Sequence, residues 1–179
     1  MSINDNGIVE TLRENPQNGF RKLMTKYQEP VYWHIRRLVV SHDDAQDASQ
    51  ETFVRIYRSL GNYRGDCSLR SWIYRIATNE ALRLISKRKQ EEVSLDSMST
   101  GVGLIPADNY IDYDDKVAVK LQKAILSLPP KQQLAFNLRY YDDLSFEEIA
   151  KIADSTSTSI KASYHIAKEK IIKYMNSNE

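Results

Sequence analysis

The segment from residue 93 to residue 115 constrains the fold more than any other feature of the sequence. It contains two glycines, one proline and several Ser and Asp residues, and its apolar residues follow no regular period. On both sides of it, apolar residues recur at the three- and four-residue spacing of amphipathic helices. We therefore predict an all-α protein with two small helical domains, residues 1–92 and 116–179, joined by a flexible linker over residues 93–115.

The charged residues follow the same division. Residues 1–90 contain 15 Lys and Arg against 10 Asp and Glu, and residues 116–179 contain 10 against 7. Residues 91–115 contain seven acidic residues and no basic one. The net charge of +1 therefore hides two basic blocks on either side of an acidic linker.

Several classes of function leave no trace in the sequence. Cys67 is the only cysteine, the three histidines are scattered, and neither a phosphate-binding glycine loop nor a nucleophile–base set is visible. We expect no catalytic site, no metal and no cofactor, and hence a protein that is not an enzyme. Because a signal peptide and a long apolar run are both missing, we also expect a cytoplasmic protein without membrane insertion.

The apolar pattern of the first basic block, residues 1–90, predicts three long helices. One covers residues 20–40, with Pro30 marking a kink or a helix junction. The second begins at Asp43, whose carboxylate would cap the helix while Gln46 reaches back, and it ends before Gly61.

After a loop over residues 61–68, the third helix is predicted from Leu69 to Lys89. Trp72 lies on this helix, where an aromatic ring more often belongs to a core than to a DNA contact. The second block predicts four helices, over residues 116–127, 131–141, 145–153 and 157–175.

The last two predicted helices have the spacing of a helix-turn-helix. Ser145 and Glu148 form a capping box at the start of the shorter helix, and a tight turn at residues 154–156 leads into the longer one. On the longer helix, apolar residues mark an inward face: Ile160, Tyr164, Ala167 and Ile171.

The outward face of that helix combines small polar groups with cations that suit the edges of bases and phosphates in a major groove. Spacing alone does not separate such a surface from an ordinary solvated helix face. The residues of this face are Thr158, Ser159, Lys161, Ala162, His165 and Lys168.

Longer stretches of sequence resemble one known family. LPPKQQ (128–133), LRYYDDLSFEEIA (138–150) and SIKASYHIA (159–167) are similar to region 4 of extracytoplasmic-function (ECF) sigma factors. In the first block, DAQDASQETFVRIYR (44–58) resembles region 2.2 of those proteins. YRGD (63–66) and LRSWIYRIATN (69–79) resemble their regions 2.3 and 2.4. The stretches occur in family order and at family separation.

The resemblance implies a protein that binds core RNA polymerase, recognises the −10 and −35 promoter elements and helps to open the duplex. One helix face would dock on the coiled coil of the β′ subunit; its residues are Asp47, Gln50, Glu51 and Val54. The outward face of the last helix would bind the −35 element.

A second set of residues would bind the −10 element. Tyr63 would stack on an exposed base, and Asn79 would form a hydrogen bond to a base edge. Arg64 and Ile76 belong to the same set. The residues expected to hold phosphates are Arg75, Arg83, Lys87, Arg88 and Lys89.

The resemblance also assigns partners. The β and β′ subunits of the polymerase and promoter DNA are expected, and many members of the family are held by an anti-sigma factor. In the family the linker threads the polymerase cleft, where its acidity would let it stand in for RNA in a basic channel. A merely solvated tether fits the linker equally well.

The sequence departs from the family pattern in the second block. Asp154 and Ser155 occupy turn positions that usually hold Gly and an apolar residue, while Ser163 and Ile166 stand where Arg is common. The −35 sequence therefore cannot be inferred from the family. A regulator with an N-terminal sensing domain and a C-terminal helix-turn-helix is the alternative, although the motifs of residues 44–79 argue against it.

Overall fold

The computed structural model of the protein describes residues 4–39, 41–95 and 115–177. Within these ranges the chain forms helices and turns and no β-strand, which confirms the predicted all-α class. The helices divide into two compact units, of which the first contains α1–α4 and the second α5–α8. The first unit contains α1 (Asp5–Glu14), α2 (Pro16–Val39), α3 (His42–Ser59) and α4 (Leu69–Leu95).

The core of the first unit lies between α2, α3 and α4, with α1 packed mainly on α2. Apolar residues of α2 point into it at helical spacing, which agrees with the predicted amphipathic pattern. The buried apolar residues include Leu23, Val31, Ile35, Ala45, Ile56, Ile73 and Ala77.

Two helix starts differ from the sequence predictions. Helix α2 begins at Pro16 and continues through Pro30, so the alternative of a helix junction at Pro30 is wrong. The N-cap of α3 is Ser41, whose hydroxyl accepts a hydrogen bond from the Asp44 amide at 3.4 Å. Asp43 is therefore not the cap but lies in the first turn, where its charge is favourable near the positive end of the helix dipole.

Two helix ends also differ. Helix α3 ends at Ser59 and a 3₁₀ turn over Leu60–Asn62 follows it. Helix α4 continues to Leu95, beyond the predicted end at Lys89 and into the first three residues of the predicted linker. The remaining linker residues up to 114 lie outside the described part of the chain.

Helix α1 was not predicted, because only a few of its residues are apolar. It packs so closely on α2 that a Cβ atom at Gly19 would come within 2.6 Å of the Leu12 backbone. Asp5 fixes its first turn by accepting hydrogen bonds from the Lys26 ammonium at 2.6 Å and the Tyr27 hydroxyl at 2.8 Å. Ile8 is fully buried against the rest of the unit.

The second unit agrees with the predicted helices to within one or two residues. It contains α5 (Lys116–Leu126), α6 (Pro130–Tyr140), α7 (Phe146–Ile152) and α8 (Ser157–Asn176). Its main apolar cluster joins α5, α6 and α8 through Ala124, Ile125, Leu128, Phe136, Ala167 and Ile171.

Candidate polymerase-docking face and nucleic-acid interfaces

The residues predicted to dock on the polymerase lie on one side of α3. Asp47, Gln50 and Val54 are exposed, with Val54 at 41%. Glu51 is half-buried and accepts a hydrogen bond from the Arg55 guanidinium at 3.2 Å. The opposite side of α3 is buried in the core of the first unit, which leaves this polar face on the surface.

An apolar groove of about 800 Å³ adjoins this docking face. Phe20 and Met24 of α2 form one wall, and Phe53, Val54 and Tyr57 of α3 form the other. The rings of Phe20 and Tyr57 meet edge to face at 5.1 Å, and Tyr57 is 51% exposed. The sequence prediction missed this groove because periodicity assigned Phe20 and Met24 to the core, whereas the structure leaves them half-buried.

The loop between α3 and α4 is held in shape by its own residues. Gly65 has a φ of 84°, a left-handed conformation that is strained for residues with a side chain. The Tyr63 hydroxyl donates a hydrogen bond to the Cys67 carbonyl at 2.9 Å, and the Tyr63 ring lies 5.1 Å from the Trp72 ring. Tyr63 is half-buried, so part of its ring remains accessible.

The phenol of Tyr63 stays protonated well above neutral pH. Partial burial is the largest cause of its raised pKa, and the neighbouring Cys67 and Asp5 add to the effect. Arg13 of α1, which lines a groove together with Tyr63, acts in the opposite direction and lowers this pKa. The hydroxyl therefore remains a hydrogen-bond donor that stabilises the loop.

Four of the residues predicted to bind the −10 element form a row on α4. Arg75, Asn79, Arg83 and Lys87 are all exposed and follow one another at four-residue intervals, which places them on one face of the helix. The other side of α4 packs into the core of the first unit. Its buried residues are Ile73, Tyr74, Ala77, Thr78 and Ala81.

The other members of the set surround this row. Arg64 is exposed on the loop, and Lys89 is exposed near the far end of the row. Ile76 is half-buried and Trp72 is also half-buried. The structure thus places Arg64 on the loop and the row on one face of α4, whereas Arg88 lies on the side of the helix that faces α3.

Carboxylates of the first unit neutralise some of these cations. Glu80, only 4% exposed, pairs with Arg83 at 2.9 Å and with Arg55 of α3 at 2.5 Å. Arg88 pairs with Asp44 of α3. The Arg55–Glu80 and Arg88–Asp44 pairs join α3 to α4, and Arg83 pairs with the same Glu80 within α4. Arg83 and Arg88 therefore contribute to the structure of the unit as well as to its positive surface.

Local capping explains the geometry of the helix-turn-helix. The predicted capping box is present: the Ser145 hydroxyl accepts from the Glu148 amide at 3.2 Å, and Glu148 accepts from the Ser145 amide at 2.8 Å. In the turn, Asp154 has a φ of 49° and the Ser155 amide donates to the Ala150 carbonyl at 2.9 Å. Gly adopts this conformation without strain, which agrees with the Gly that the family resemblance leads us to expect at this position.

Helix α8 separates its two faces as predicted. Ile160, Ala167 and Ile171 are buried and Tyr164 is half-buried. Ser159 is half-buried and accepts a hydrogen bond from Lys131 of α6 at 2.9 Å. The exposed members of the outward face are Thr158, Lys161, Ala162, His165 and Lys168.

Aromatic packing fixes the start of this outward face. The His165 ring lies 5.6 Å from the Tyr164 ring and 6.5 Å from the Phe146 ring of α7. Arg139 of α6 lies over the Phe146 ring, 5.4 Å from its centre. The position of α8 relative to α7 is therefore set by side chains that periodicity alone did not assign to this role.

Two features are absent from the described residues. In residues 4–39, 41–95 and 115–177, no group of three or more His, Cys, Asp or Glu side chains is arranged to hold a metal ion. Over the same ranges, every helix is too short or too polar to cross a membrane.

Comparison with known families matches both helical units. The model of Sigma-70 region 2 matches residues 23–91, and the model of Sigma-70 region 4 matches residues 118–171. Helix α1 lies outside both matches.

Individual relatives agree with these matches. The chain is 29% identical to the RNA polymerase sigma-H factor of Pseudomonas aeruginosa, covering 94% of this chain and 92% of that protein. It is 30% identical to the ECF RNA polymerase sigma-E factor of Salmonella typhimurium, with 94% and 93% covered. A structure of the sigma factor RpoE in complex with the anti-sigma factor NepR from Bartonella quintana has the same fold, with a TM-score of 0.74 at 21% identity. That likeness covers 89% of this chain and 98% of the other. The chain therefore belongs to the extracytoplasmic-function sigma factors of RNA polymerase.

Proposed function

We propose that three surfaces of this sigma factor have different roles in transcription initiation. The α3 face would dock on the coiled coil of the β′ subunit, the loop with α4 would bind and open the −10 element, and α8 would bind the −35 element. As a sigma factor the chain acts with core RNA polymerase and promoter DNA in promoter-specific initiation. The three surfaces assign a part of that activity to each helical unit.

The row of exposed residues on α4 is the observation that carries the proposal. Arg75, Asn79, Arg83 and Lys87 extend away from the loop that holds Tyr63, so a single strand could stack a base on Tyr63 and run along the cations. Asn79 in the middle of the row can donate to or accept from a base edge. Separating DNA strands costs a few kcal/mol per base step, which stacking and phosphate contacts offset.

The α3 face supports docking on a helical partner. Asp47, Gln50 and Glu51 supply polar contacts, while Val54 continues into the apolar groove of Phe20, Met24 and Tyr57 residues. A polar rim beside an apolar centre is the composition of many protein interfaces. The β subunit of the polymerase is a further partner in this proposal.

Further parts of the proposal follow from membership of the family. Sigma factors are not enzymes, and we propose that this chain likewise has no catalytic site, needs no cofactor and works in the cytoplasm. Two domains, residues 1–92 and 116–179, would be joined by the acidic linker. An anti-sigma factor would be a further partner, since a protein of the same fold binds one.

In vitro transcription on a pool of genomic promoters tests the function directly. Full-length protein with core polymerase should give transcripts from a defined subset of promoters whose −35 and −10 sequences can then be aligned. A gel shift with and without core separates the alternative, a helix-turn-helix regulator. Strong sequence-specific binding by the chain alone would contradict the proposal.

Two substitutions test the −10 assignment. Tyr63→Ala and Asn79→Ala should each reduce open-complex formation while the affinity for core polymerase stays at the level of the wild type. The double variant Asp47→Ala/Val54→Ala should instead bind core polymerase more weakly than the wild type does. Unchanged transcription by both Tyr63→Ala and Asn79→Ala would remove the roles assigned to these residues.

A further inference from the structure

A series of ion pairs connects the docking face of α3 to the row on α4. The Arg55 guanidinium lies between two carboxylates, since its Nε atom is 3.2 Å from Glu51 of the docking face and 2.5 Å from Glu80 of α4. The second carboxylate oxygen of Glu80 accepts hydrogen bonds from Nε and Nη2 of Arg83, at 3.1 and 2.9 Å. These four residues, which we call the ion-pair chain, join a residue predicted to meet the polymerase to one predicted to hold a phosphate.

Glu80 is the most buried member of the ion-pair chain. Its side chain is only 4% exposed, whereas the exposed fractions of the other three side chains lie between 39% and 59%. A buried carboxylate that loses every partner is strongly destabilising, while a single exposed ion pair contributes little. Glu80 can therefore exchange one guanidinium for another at low cost, provided that it always keeps one.

The two arginines compete for this carboxylate. The Nε atom of Arg55 carries one hydrogen, which it shares between Glu51 and Glu80. When another donor engages Glu51, that hydrogen is left to Glu80 alone, and the Arg55 guanidinium can bond both oxygens of Glu80 in the bidentate arrangement that arginine favours. A carboxylate bonded in this way binds a second guanidinium less tightly, so the hold on Arg83 weakens.

We propose that Glu80 couples polymerase docking to the binding of single-stranded −10 DNA. Without polymerase, Glu80 pairs with Arg83 and neutralises a cation in the row on α4. When core polymerase engages Glu51, Glu80 pairs with Arg55 through both oxygens, and Arg83 is released to a DNA phosphate. The inference rests on the proposed roles of the α3 face and of the row. It makes Glu80 a positioning residue that belongs to neither surface and links the two.

Binding of a fluorescein-labelled single strand tests the coupling. The strand carries the −10 sequence of a promoter that the holoenzyme transcribes, and fluorescence anisotropy gives its affinity for the full-length protein with and without core polymerase. Arg83→Gln should weaken binding by the holoenzyme about fivefold more than binding by the protein alone. Lys87→Gln, in the same row but paired with Glu91 outside the ion-pair chain, should weaken both by the same factor.

Removal of the Glu51 charge should imitate docking. In Glu51→Gln, Arg55 is left with Glu80 as its charged partner, so the protein without polymerase should bind the strand about fivefold more tightly than the wild type. Its slope of log affinity against log salt should steepen by about 0.7, the value for one phosphate of a single strand. Asp43→Asn removes an exposed charge of the same sign from the first turn of α3 and should behave like the wild type. Adding Arg83→Gln to Glu51→Gln should remove the gain.

Failure of this inference differs from failure of the proposed function. Equal weakening of the holoenzyme and of the protein alone by Arg83→Gln would overturn the coupling and leave the proposed function intact, as would a Glu51→Gln protein that binds no more tightly than Asp43→Asn. If Arg83→Gln and Lys87→Gln holoenzymes both bind the strand as the wild type does, the row does not hold the −10 strand, and the proposed function fails together with the inference. None of these variants changes the buried Glu80, so each should fold like the wild type, which circular dichroism checks.

Discussion

At the scale of single residues, Asp154 shows how a departure from the family pattern is accommodated. Its φ of 49° lies in the left-handed region, which costs a residue with a Cβ atom roughly 1 kcal/mol or more. Asp tolerates this region better than most residues do, because its short polar side chain can bond locally. The family resemblance identified Asp154 as unusual, and its positive φ gives the physical reason to expect Gly there.

The stability of variants at position 154 should depend on how well each residue tolerates this left-handed conformation. Asp154→Gly should raise the free energy of unfolding of the second unit by about 0.5 kcal/mol, because relief of strain exceeds the added freedom of the unfolded chain. Asp154→Ala should lower it by about 1 kcal/mol. Thermal unfolding followed by far-UV circular dichroism measures both, and a Gly variant less stable than the wild type would contradict the strain argument.

Tyr27 makes the stability of the first unit depend on pH at the alkaline end. Burial is the main cause of its raised pKa, and the hydrogen bond to Asp5 adds to it. In the unfolded chain a tyrosine has a pKa of about 10. The neutral phenol therefore stabilises the folded state fully below that pH, and the contribution is lost as the pH rises from 10 toward the folded pKa.

Comparison of the wild type with Tyr27→Phe isolates this effect. The variant should be about 1 kcal/mol less stable at neutral pH, since it lacks the bond to Asp5. Between pH 10 and 11 the wild type should lose about 1 kcal/mol more than the variant does. Trp33 and Trp72 both lie in the first unit, so their fluorescence in urea reports its unfolding alone. Tyr57→Phe, with an exposed ring, is the control and should follow the wild type.

At the scale of helices, the sequence predicted what depends on periodicity and missed what depends on packing. Helices α5 to α8 and the Ser145 capping box were predicted because their signals are local. Helix α1 was missed because it has few apolar residues, and a helix of this length is stable only through contacts with the rest of the protein. The cap of α3 was misassigned because Ser41 and Asp43 are both good capping residues.

Substitutions at two glycines test how much the packing of α1 contributes to the stability of the first unit. A methyl group at Gly19 would meet the Leu12 backbone, so Gly19→Ala should displace α1 and destabilise the first unit by about 1–3 kcal/mol. At Gly7 a Cβ atom would meet nothing within 4 Å, and Gly7→Ala should stabilise the unit by about 0.5–1 kcal/mol. Urea unfolding followed by tryptophan fluorescence measures both. Equal effects at the two positions would show that helix propensity, rather than the contact, decides.

At the scale of the whole molecule, family motifs predicted the three surfaces but not how their residues are connected. The row on α4 follows from four-residue spacing, which is visible in the sequence. The ion pairs Arg88–Asp44 and Arg55–Glu80 join residues far apart in the chain, and no local pattern indicates them. The apolar groove beside Val54 likewise needs α2 and α3 to be brought together.

Because we assign different DNA contacts to the two units, substitutions in them should affect different steps of initiation. Ile166 is 43% exposed on α8, at a position where the family resemblance leads us to expect Arg. Ile166→Arg should add one phosphate contact, raise the affinity of the first, closed complex about three- to tenfold and steepen its salt dependence by about 0.9. The rate at which that complex opens should not change, since opening is assigned to the loop and α4. Ile172→Arg, an equally exposed position farther along α8, is the matched control.

Kinetics of open-complex formation at several holoenzyme concentrations separate the affinity of the closed complex from the opening rate. Tyr63→Ala should lower the opening rate and leave the affinity nearly unchanged, which is the reverse of Ile166→Arg. In the double variant the two effects should add, because the two residues lie in different units. A change in opening rate caused by Ile166→Arg would mean that binding at the −35 element and strand opening are coupled through the polymerase. The proposal that the two units act at different steps of initiation would then be wrong.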